Sequence, residues 1–266
     1  MKTLTAAAVQ MISTPSVAEN LATAARLIAQ AADRGAQLVA LPEYFAIMGA
    51  QATDKLLVKE TFGDGPIQQA LADAAQRHGI WLVGGTLPLM ADDPGKVRNA
   101  TLVYNPQGEC VARYDKIHLF GFDNGTERYD EADTIEPGQQ PVTFDTPFGR
   151  VGVAVCYDLR FPELFRGRDA DVWVLPAAFT ATTGRAHWEV LLRARAIENQ
   201  CFVIAPGQGG LHPTGRTTWG HSLIADPWGE ILALQAEGEG IAAAELKASQ
   251  LDRVRRVLPA LRHRVL

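Results

Sequence analysis

The stretch GRVGVAVCYDLRFPE, residues 149–163, decides how the rest of the chain is read. Val151, Val153 and Val155 alternate with Gly152, Ala154 and Cys156 at period two, the repeat of a strand. The valines take one face and the small residues with the cysteine take the other. A strand that is nonpolar on both faces suits the interior of a covered sheet. The pattern breaks at Tyr157, Asp158 and Arg160, and Pro162 fits the first turn of a short helix through Glu163, Leu164 and Phe165. A cysteine at the carboxyl end of a buried strand, just ahead of a helix, stands where open α/β sheets place their sites. A helix amino terminus with Lys or Arg nearby favours the thiolate, the form that attacks carbonyls. A lone cysteine is more often an inert core residue, and this segment by itself leaves both readings open.

Composition narrows the function classes. A chain of 266 residues with 47% hydrophobic content can bury a sizeable core in one large α/β domain or two smaller ones. The formal charge of −5 argues against nucleic-acid binding and against a membrane surface. Cys110, Cys156 and Cys201 are odd in number and far apart, which makes no disulfide framework and suits a reducing cytosol. A cytoplasmic protein is therefore expected. No CxxC, HExxH or clustered His/Cys spacing occurs, so neither a metal nor a cofactor is expected. GQGGLHPTG, residues 207–215, lacks the third glycine of a dinucleotide fingerprint and opens no helix. No apolar run approaches a membrane span, and MKTLTAAAVQMI reads as a first strand rather than a signal peptide. The sequons at Asn99 and Asn124 are chance in a cytosolic protein.

Taken in order, Leu4 to Met11 is a strand, and Ser16 caps a helix in which Val17, Leu21, Ala24, Ile28 and Ala31 recur at helical spacing. Gly35 stops that helix. The strand QLVAL (37–41) follows, with Pro42 and Glu43 directly after it. Gly65-Pro66 opens a helix to His78, closed by Gly79. Strands are expected at Ile80–Gly84 and Ala100–Tyr104, the second entering a hairpin through Asn105-Pro-Gln-Gly108. Lys116 and His118 lie just past its return strand. Residues 121–141 read as a long loop with short structured pieces, a length that is often functional. After the Cys156 segment come a strand at Asp171–Leu175, a polar loop at 177–184 and a helix at Ala186–Asn199. A strand at Cys201–Ala205 and a hairpin of Trp219–Asp226 with Glu230–Leu234 complete the pattern.

YNPQGECVAR and ADPWGEILAL share one pattern: an apolar strand, Asn/Asp-Pro-x-Gly-Glu, and a returning strand. Each closes a half-chain of strand, helix, strand, helix, strand and hairpin. Two such βαβ-type halves can stack their sheets face to face with helices outside, giving an α/β fold that is a four-layer α-β-β-α sandwich. No linker separates the halves, so one domain spanning 1–266 is expected, with Val254, Leu258 and Leu261 anchoring a final helix or tail.

Glu43, Lys116 and Cys156 all stand after strands. Glu43 in a surface loop and Lys116 as a solvated lysine are the ordinary alternatives. Together, however, the three supply what thiol-dependent amide hydrolysis needs. A carboxylate can take the thiol's proton and later activate water. An ammonium can stabilise the oxyanion, helped by the backbone N–H after the nucleophile, that of Tyr157. No histidine is required.

LPEYF (41–45), YDKIHLF (114–120) and VCYDLRFPE (155–163) resemble the three catalytic motifs of the nitrilase, or carbon–nitrogen hydrolase, superfamily. The resemblance covers essentially the whole chain. It implies the four-layer sandwich, a Glu43–Lys116–Cys156 triad, a small-molecule amide as substrate, and subunits paired as a homodimer or higher homo-oligomer. It also implies a second glutamate between the Lys and Cys motifs, matched by Glu131 with Glu127 as a competitor. Within the superfamily, residues 186–212 and 220–233 resemble the deaminated-glutathione amidases more than the ω-amidases, which cleave α-ketoglutaramate. LPEYF departs from that branch, which often has Asn after the Glu, as does Gly184-Arg185 where Pro or Lys is common. By the same resemblance Arg160, Phe179 and Thr183 line the acyl side of the pocket, although an ion pair of Arg160 with Asp158 or Glu163 is an equal alternative. On the leaving-group side, the Gln208–His212 loop and Arg185 are the polar groups expected to meet a Cys-Gly moiety. An N-carbamoyl or nitrile substrate, a non-catalytic binding protein and a redox sensor at Cys156 are the competing readings.

Overall fold

The computed structural model describes residues 1–123, 125 and 128–265. The first half runs β1 (Leu4–Gln10), α1 (Val17–Asp33), β2 (Leu38–Ala40), α2 (Pro66–His78), β3 (Trp81–Val83), β4 (Leu87–Met90), β5 (Val97–Tyr104) and β6 (Cys110–Asp115). The hairpin β7 (Gly121–Asp123) and β8 (Arg128–Asp130) follows. The second half runs β9 (Val142–Thr146), β10 (Gly149–Val153), α3 (Pro162–Phe165), β11 (Val172–Val174), α4 (Ala181–Asn199) and β12 (Phe202–Ala205). It ends with β13 (Gly209–Leu211), β14 (Thr217–Trp219), β15 (Ser222–Ala225), β16 (Ile231–Gln235), β17 (Gly240–Leu246) and α5 (Ala248–Val257). Local chemistry sets the helix ends: the Ser16 hydroxyl accepts from the Glu19 N–H at 3.4 Å, and Gly79 closes α2 in the left-handed region.

Each half builds one sheet on the same plan. β1, β2 and β3 are parallel, as are β10, β11 and β12. An antiparallel pair extends each set on one flank, β5 with β6 and β15 with β16. A single antiparallel strand covers the other flank: β9 beside β10, and β17 beside β1. The strand flanking the first sheet therefore comes from near the end of the chain, and this tie makes the two halves interdependent.

Burial along β1 shows the layering. Ala6 and Ala8 join a core with Val151, Val153, Val172 and Val174 of the facing sheet. Ala7 and Val9 join another with Leu27 and Ile28 of α1 and Leu71 of α2. Alternate residues of one strand thus face the partner sheet and the helices, which is the α-β-β-α sandwich.

Several boundaries differ from the sequence expectation. β4 is an added strand, split from β3 at Gly84-Gly85 and carrying Pro88, two residues that mask strand character. β14 pairs with β13 rather than continuing into β15. α4 begins at Ala181, so Thr183 and Gly184 are helical rather than in a loop. Its first turn packs against Trp219 so closely that a Cβ on Gly184 would lie 2.3 Å from that ring. At the other end Leu251 and Val254 anchor α5, whereas Leu258 and Leu261 are exposed because the apolar face of the helix ends before them.

Candidate active site

Glu43 stands three residues past β2, on a turn that only particular residues permit. Tyr44 has φ +56°, held by its N–H donating to Thr86 Oγ1 at 2.8 Å. Gly85 comes so close that a Cβ there would lie 2.2 Å from the Pro42 carbonyl. The Glu43 side chain is 1% exposed. Its Oε1 accepts from Asn99 Nδ2 and from Lys116 Nζ, each at 2.9 Å, and its Oε2 accepts from the Ala178 N–H at 2.9 Å.

Lys116 follows β6. Its N–H donates to the Asn99 carbonyl at 3.0 Å and its own carbonyl accepts from Gly138 at 2.8 Å, so the backbone is clamped on both sides. Its ammonium is buried and also meets Glu131, at 3.0 Å to Oε1 and 2.7 Å to Oε2. Glu131 in turn accepts from the Tyr44 hydroxyl at 2.7 Å and from the Phe120 N–H at 2.8 Å. Of the two competing glutamates, Glu131 thus belongs to this cluster, while Glu127 lies outside the described residues.

Cys156 is not on the strand itself. β10 ends at Val153, and Cys156 opens a 3₁₀ turn to Arg160 with φ +49°. The buried Asp158 carboxylate makes that turn: it accepts from the Val155 N–H at 2.8 Å, the Tyr114 hydroxyl at 2.6 Å and the His118 N–H at 3.0 Å. The Cys156 N–H is used by the Pro176 carbonyl at 2.9 Å, whereas that of Tyr157 has no hydrogen-bond partner among the described residues.

The electrostatics differ from the thiolate that the sequence favours. Burial first, then the Glu43 charge, push the Cys156 thiol well above its usual range, with Lys116 opposing them. Burial also works against the Lys116 ammonium, but Glu131 and Glu43 outweigh it and hold its pKa well up. Against its own burial, Glu131 is held below the usual carboxylate range by Lys116 and by its hydrogen bonds. The resting arrangement is a neutral thiol beside a carboxylate–ammonium–carboxylate chain.

Glu43, Glu131, Cys156 and Tyr157 open into one pocket. The structure brings Arg160, Phe179 and Thr183 to that same pocket. Arg160 does not pair with Asp158, which is already occupied; its Nη1 lies 3.3 Å from His187 Nδ1 and its guanidinium faces the rings of Phe179 and Tyr157. The leaving-group residues named from sequence are elsewhere. Gln208 is buried, bonded to Ser13 and to the Glu43 carbonyl, and His212 is buried between Ser13 and Thr218. Arg185 stands over Trp219. Both Gln208 and His212 act as internal braces because their side chains satisfy otherwise buried backbone groups. Asn99, Tyr44 and Arg216 are at the site without having been foreseen. Among the described residues no group of three or more His, Cys, Asp or Glu is placed to hold a metal ion, and no helix is long and apolar enough to cross a membrane.

The carbon–nitrogen hydrolase family model matches residues 5–256. The chain belongs to that family. Among curated members of this carbon–nitrogen hydrolase family, it is 45% identical to a deaminated glutathione amidase of Synechocystis sp., over 100% of this chain and 99% of that one. It is 38% identical to omega-amidase NIT2-A of Xenopus laevis, over 96% of this chain and 93% of that one. The solved NitFhit protein of C. elegans superimposes with a TM-score of 0.92 at 35% identity, over 99% of this chain and 65% of that one.

Proposed function

We propose that this carbon–nitrogen hydrolase is a cysteine amidase acting on a small amide with an α-keto acid on its acyl half, deaminated glutathione first, to give 2-oxoglutarate and Cys-Gly. One observation carries the reading: Arg160, free of any carboxylate partner among the described residues, opens into the same cavity as Cys156 and Glu43. Glu43 accepts the Sγ proton as the sulfur attacks the amide carbonyl, so the thiol needs no prior ionisation. Lys116 Nζ and the Tyr157 N–H stabilise the oxyanion. Glu43 returns the proton to the departing nitrogen, the C–N bond breaks, and a Cys156 thioester remains. Water, deprotonated by Glu43, then attacks the thioester; the C–S bond breaks, the acid leaves and the thiol regains its proton. Glu131 holds Lys116 in place throughout. Arg160 binds the keto acid carboxylate, with Phe179 and Thr183 shaping the acyl side.

The Synechocystis relative's name supports this substrate, and the Xenopus relative's name supports α-ketoglutaramate as the second. The two amides share the acyl half. Steady-state assays of both, following keto acid release, decide between them: a higher kcat/KM for deaminated glutathione supports the first reading, and the reverse moves the chain to the ω-amidases. Mass spectrometry of enzyme quenched during turnover should show the acyl group on the Cys156 peptide. An adduct on Cys201 would sink the thioester assignment. We take the chain to work as a single domain, in a reducing cytosol and as a homodimer; its three free cysteines support the compartment, and a sedimentation mass of one chain would refute the pairing.

A further inference from the structure

With Gln208, His212 and Arg185 engaged elsewhere, the leaving amine's own substituent needs a partner. A second, larger cleft, of about 500 Å³, adjoins the catalytic pocket and shares Phe120, Glu131 and Arg216 with it. Two half-buried cations line this vestibule, Lys55 and Arg216, and neither has a carboxylate partner among the described residues. Lys55 Nζ donates to Thr134 Oγ1 at 3.0 Å and lies 5.7 Å from the centre of the Tyr44 ring. The Arg216 guanidinium lies 5.9 Å from the same ring centre, its Nη1 resting 3.6 Å from Met48 Sδ. The two cations thus border the tyrosine whose hydroxyl holds Glu131. Glu131 is already occupied by Lys116, and the other acids of the vestibule, Asp130 and Asp133, are exposed, where water screens them.

Two partly desolvated cations without a counter-ion form an anion site. Burial pulls the Lys55 ammonium down to about 8 against the pull of Glu131, and Lys116 and Arg216 add to the fall. An incoming carboxylate would reverse that cost. A dipeptide leaving group places its carboxylate at most ~7 Å beyond the scissile nitrogen, a reach suited to a vestibule next to the pocket.

The geometry points to Lys55 and Arg216 as the residues that bind a carboxylate on the leaving amine, so that the enzyme selects amides whose departing half is a peptide-like acid. This rests on the reading that the Cys156 pocket hydrolyses a keto acid amide. The leaving-group carboxylate meets Lys55 and Arg216 in the vestibule, while the acyl carboxylate stays with Arg160.

The test varies both sides of the contact. Lys55→Met, Arg216→Gln and the double variant are assayed with deaminated glutathione, with the same compound amidated at its glycine carboxylate, and with α-ketoglutaramate. In the double variant kcat/KM for deaminated glutathione should fall at least about tenfold further than for α-ketoglutaramate, whose turnover also reports that the protein is folded. The unmodified enzyme should lose a similar factor when the glycine carboxylate is amidated, and the double variant should lose little more. Parallel losses on all three compounds, or an unmodified enzyme indifferent to amidation, would overturn the assignment while leaving the amidase reading intact. An unmodified enzyme that hydrolyses none of them overturns the amidase reading and this inference with it.

Discussion

Asn99 holds Glu43 by the carboxylate oxygen that Lys116 also uses: its Nδ2 and the Lys116 Nζ both lie 2.9 Å from Oε1. With the Ala178 N–H on Oε2, the carboxylate is fixed in plane and its remaining acceptor capacity is limited. Asn99 is thus a positioning residue for the proposed base. Losing a hydrogen bond to a buried charged group costs about 1.5–3 kcal/mol, roughly a tenfold to hundredfold effect on rate. Asn99→Ala should lower kcat by that much with KM little changed. Asn99→Asp should be worse, because a second carboxylate would meet Glu43. Steady-state kinetics of the two variants check both, and a raised KM at normal kcat would make Asn99 a substrate contact instead.

The contrast between Asn99 and its neighbours explains what the sequence discloses. Glu43, Lys116 and Cys156 are legible because each follows a strand expected from the sequence and each sits in a distinctive motif. Asn99 lies inside β5, where period two makes it one more strand residue. Arg216 sits in a turn between β13 and β14, where no periodicity speaks for a side chain. The layered architecture followed from the repeated halves, but the pairing of β17 with β1 joins residues more than two hundred positions apart and leaves no local trace. The Cys156 turn differs from the strand pattern for a physical reason: Asp158 folds back on Val155, so valines that alternate like a strand end in a 3₁₀ turn. Gln208 and His212 looked like ligand groups because polar residues in a glycine-rich loop usually face solvent, yet both are buried.

Burial and the Glu43 charge keep the Cys156 thiol protonated, against the opposing pull of Lys116. Burial raises it first and Glu43 second, so removing the Glu43 charge relieves part of the rise. Glu43→Gln should therefore shift the pH profile of iodoacetamide alkylation at Cys156 to lower pH, even as kcat falls on the order of a hundredfold or more through loss of the base. Alkylation followed by intact mass across pH, beside turnover, reads both effects. A profile moving to higher pH, or turnover near normal, would contradict this role for Glu43.

Lys116 neutralises two buried carboxylates, and its loss has a predictable pH signature. In the intact protein Glu131 is held below its usual 4.5, so its share of stability is present above that pH and is lost as pH falls through the lower folded value. Lys116 is raised above 10.5, so its share is fully present below that pH and is lost only as pH climbs through the higher folded value. Lys116→Met leaves Glu43 and Glu131 buried together without a cation, a change that typically costs about 3–5 kcal/mol. Without Lys116 the pull that lowers Glu131 is gone while its burial, which raises it, remains, and the sign reverses: the variant gains stability as pH falls toward 5. Thermal unfolding at pH 8 and pH 5 should show a large deficit at the first and a smaller one at the second. An equal deficit at both would mean that Lys116 does not set the Glu131 ionisation as the geometry requires.

Arg160 faces the same cavity under different constraints. Its nearest carboxylate in sequence, Asp158, is saturated by Tyr114, His118 and the Val155 N–H, so no internal ion pair competes with substrate there. The guanidinium is instead set against the Phe179 and Tyr157 rings, with Cζ 5.4 and 5.7 Å from their centres. That setting orients its fork without neutralising it, as a two-pronged carboxylate site requires. Arg160→Ala should reduce kcat/KM for deaminated glutathione and for α-ketoglutaramate by a common factor on the order of a hundred, since truncating one partner of a desolvated charge pair costs 2–5 kcal/mol or more. Arg160→Lys should recover only part of it, because an ammonium meets the carboxylate as a point charge. An uncharged amide of similar size should suffer much less. If all three amides fall together, Arg160 instead braces the Cys156 turn, and the keto acid specificity proposed for this chain would lose its basis while the Glu43, Lys116 and Cys156 assignments stood.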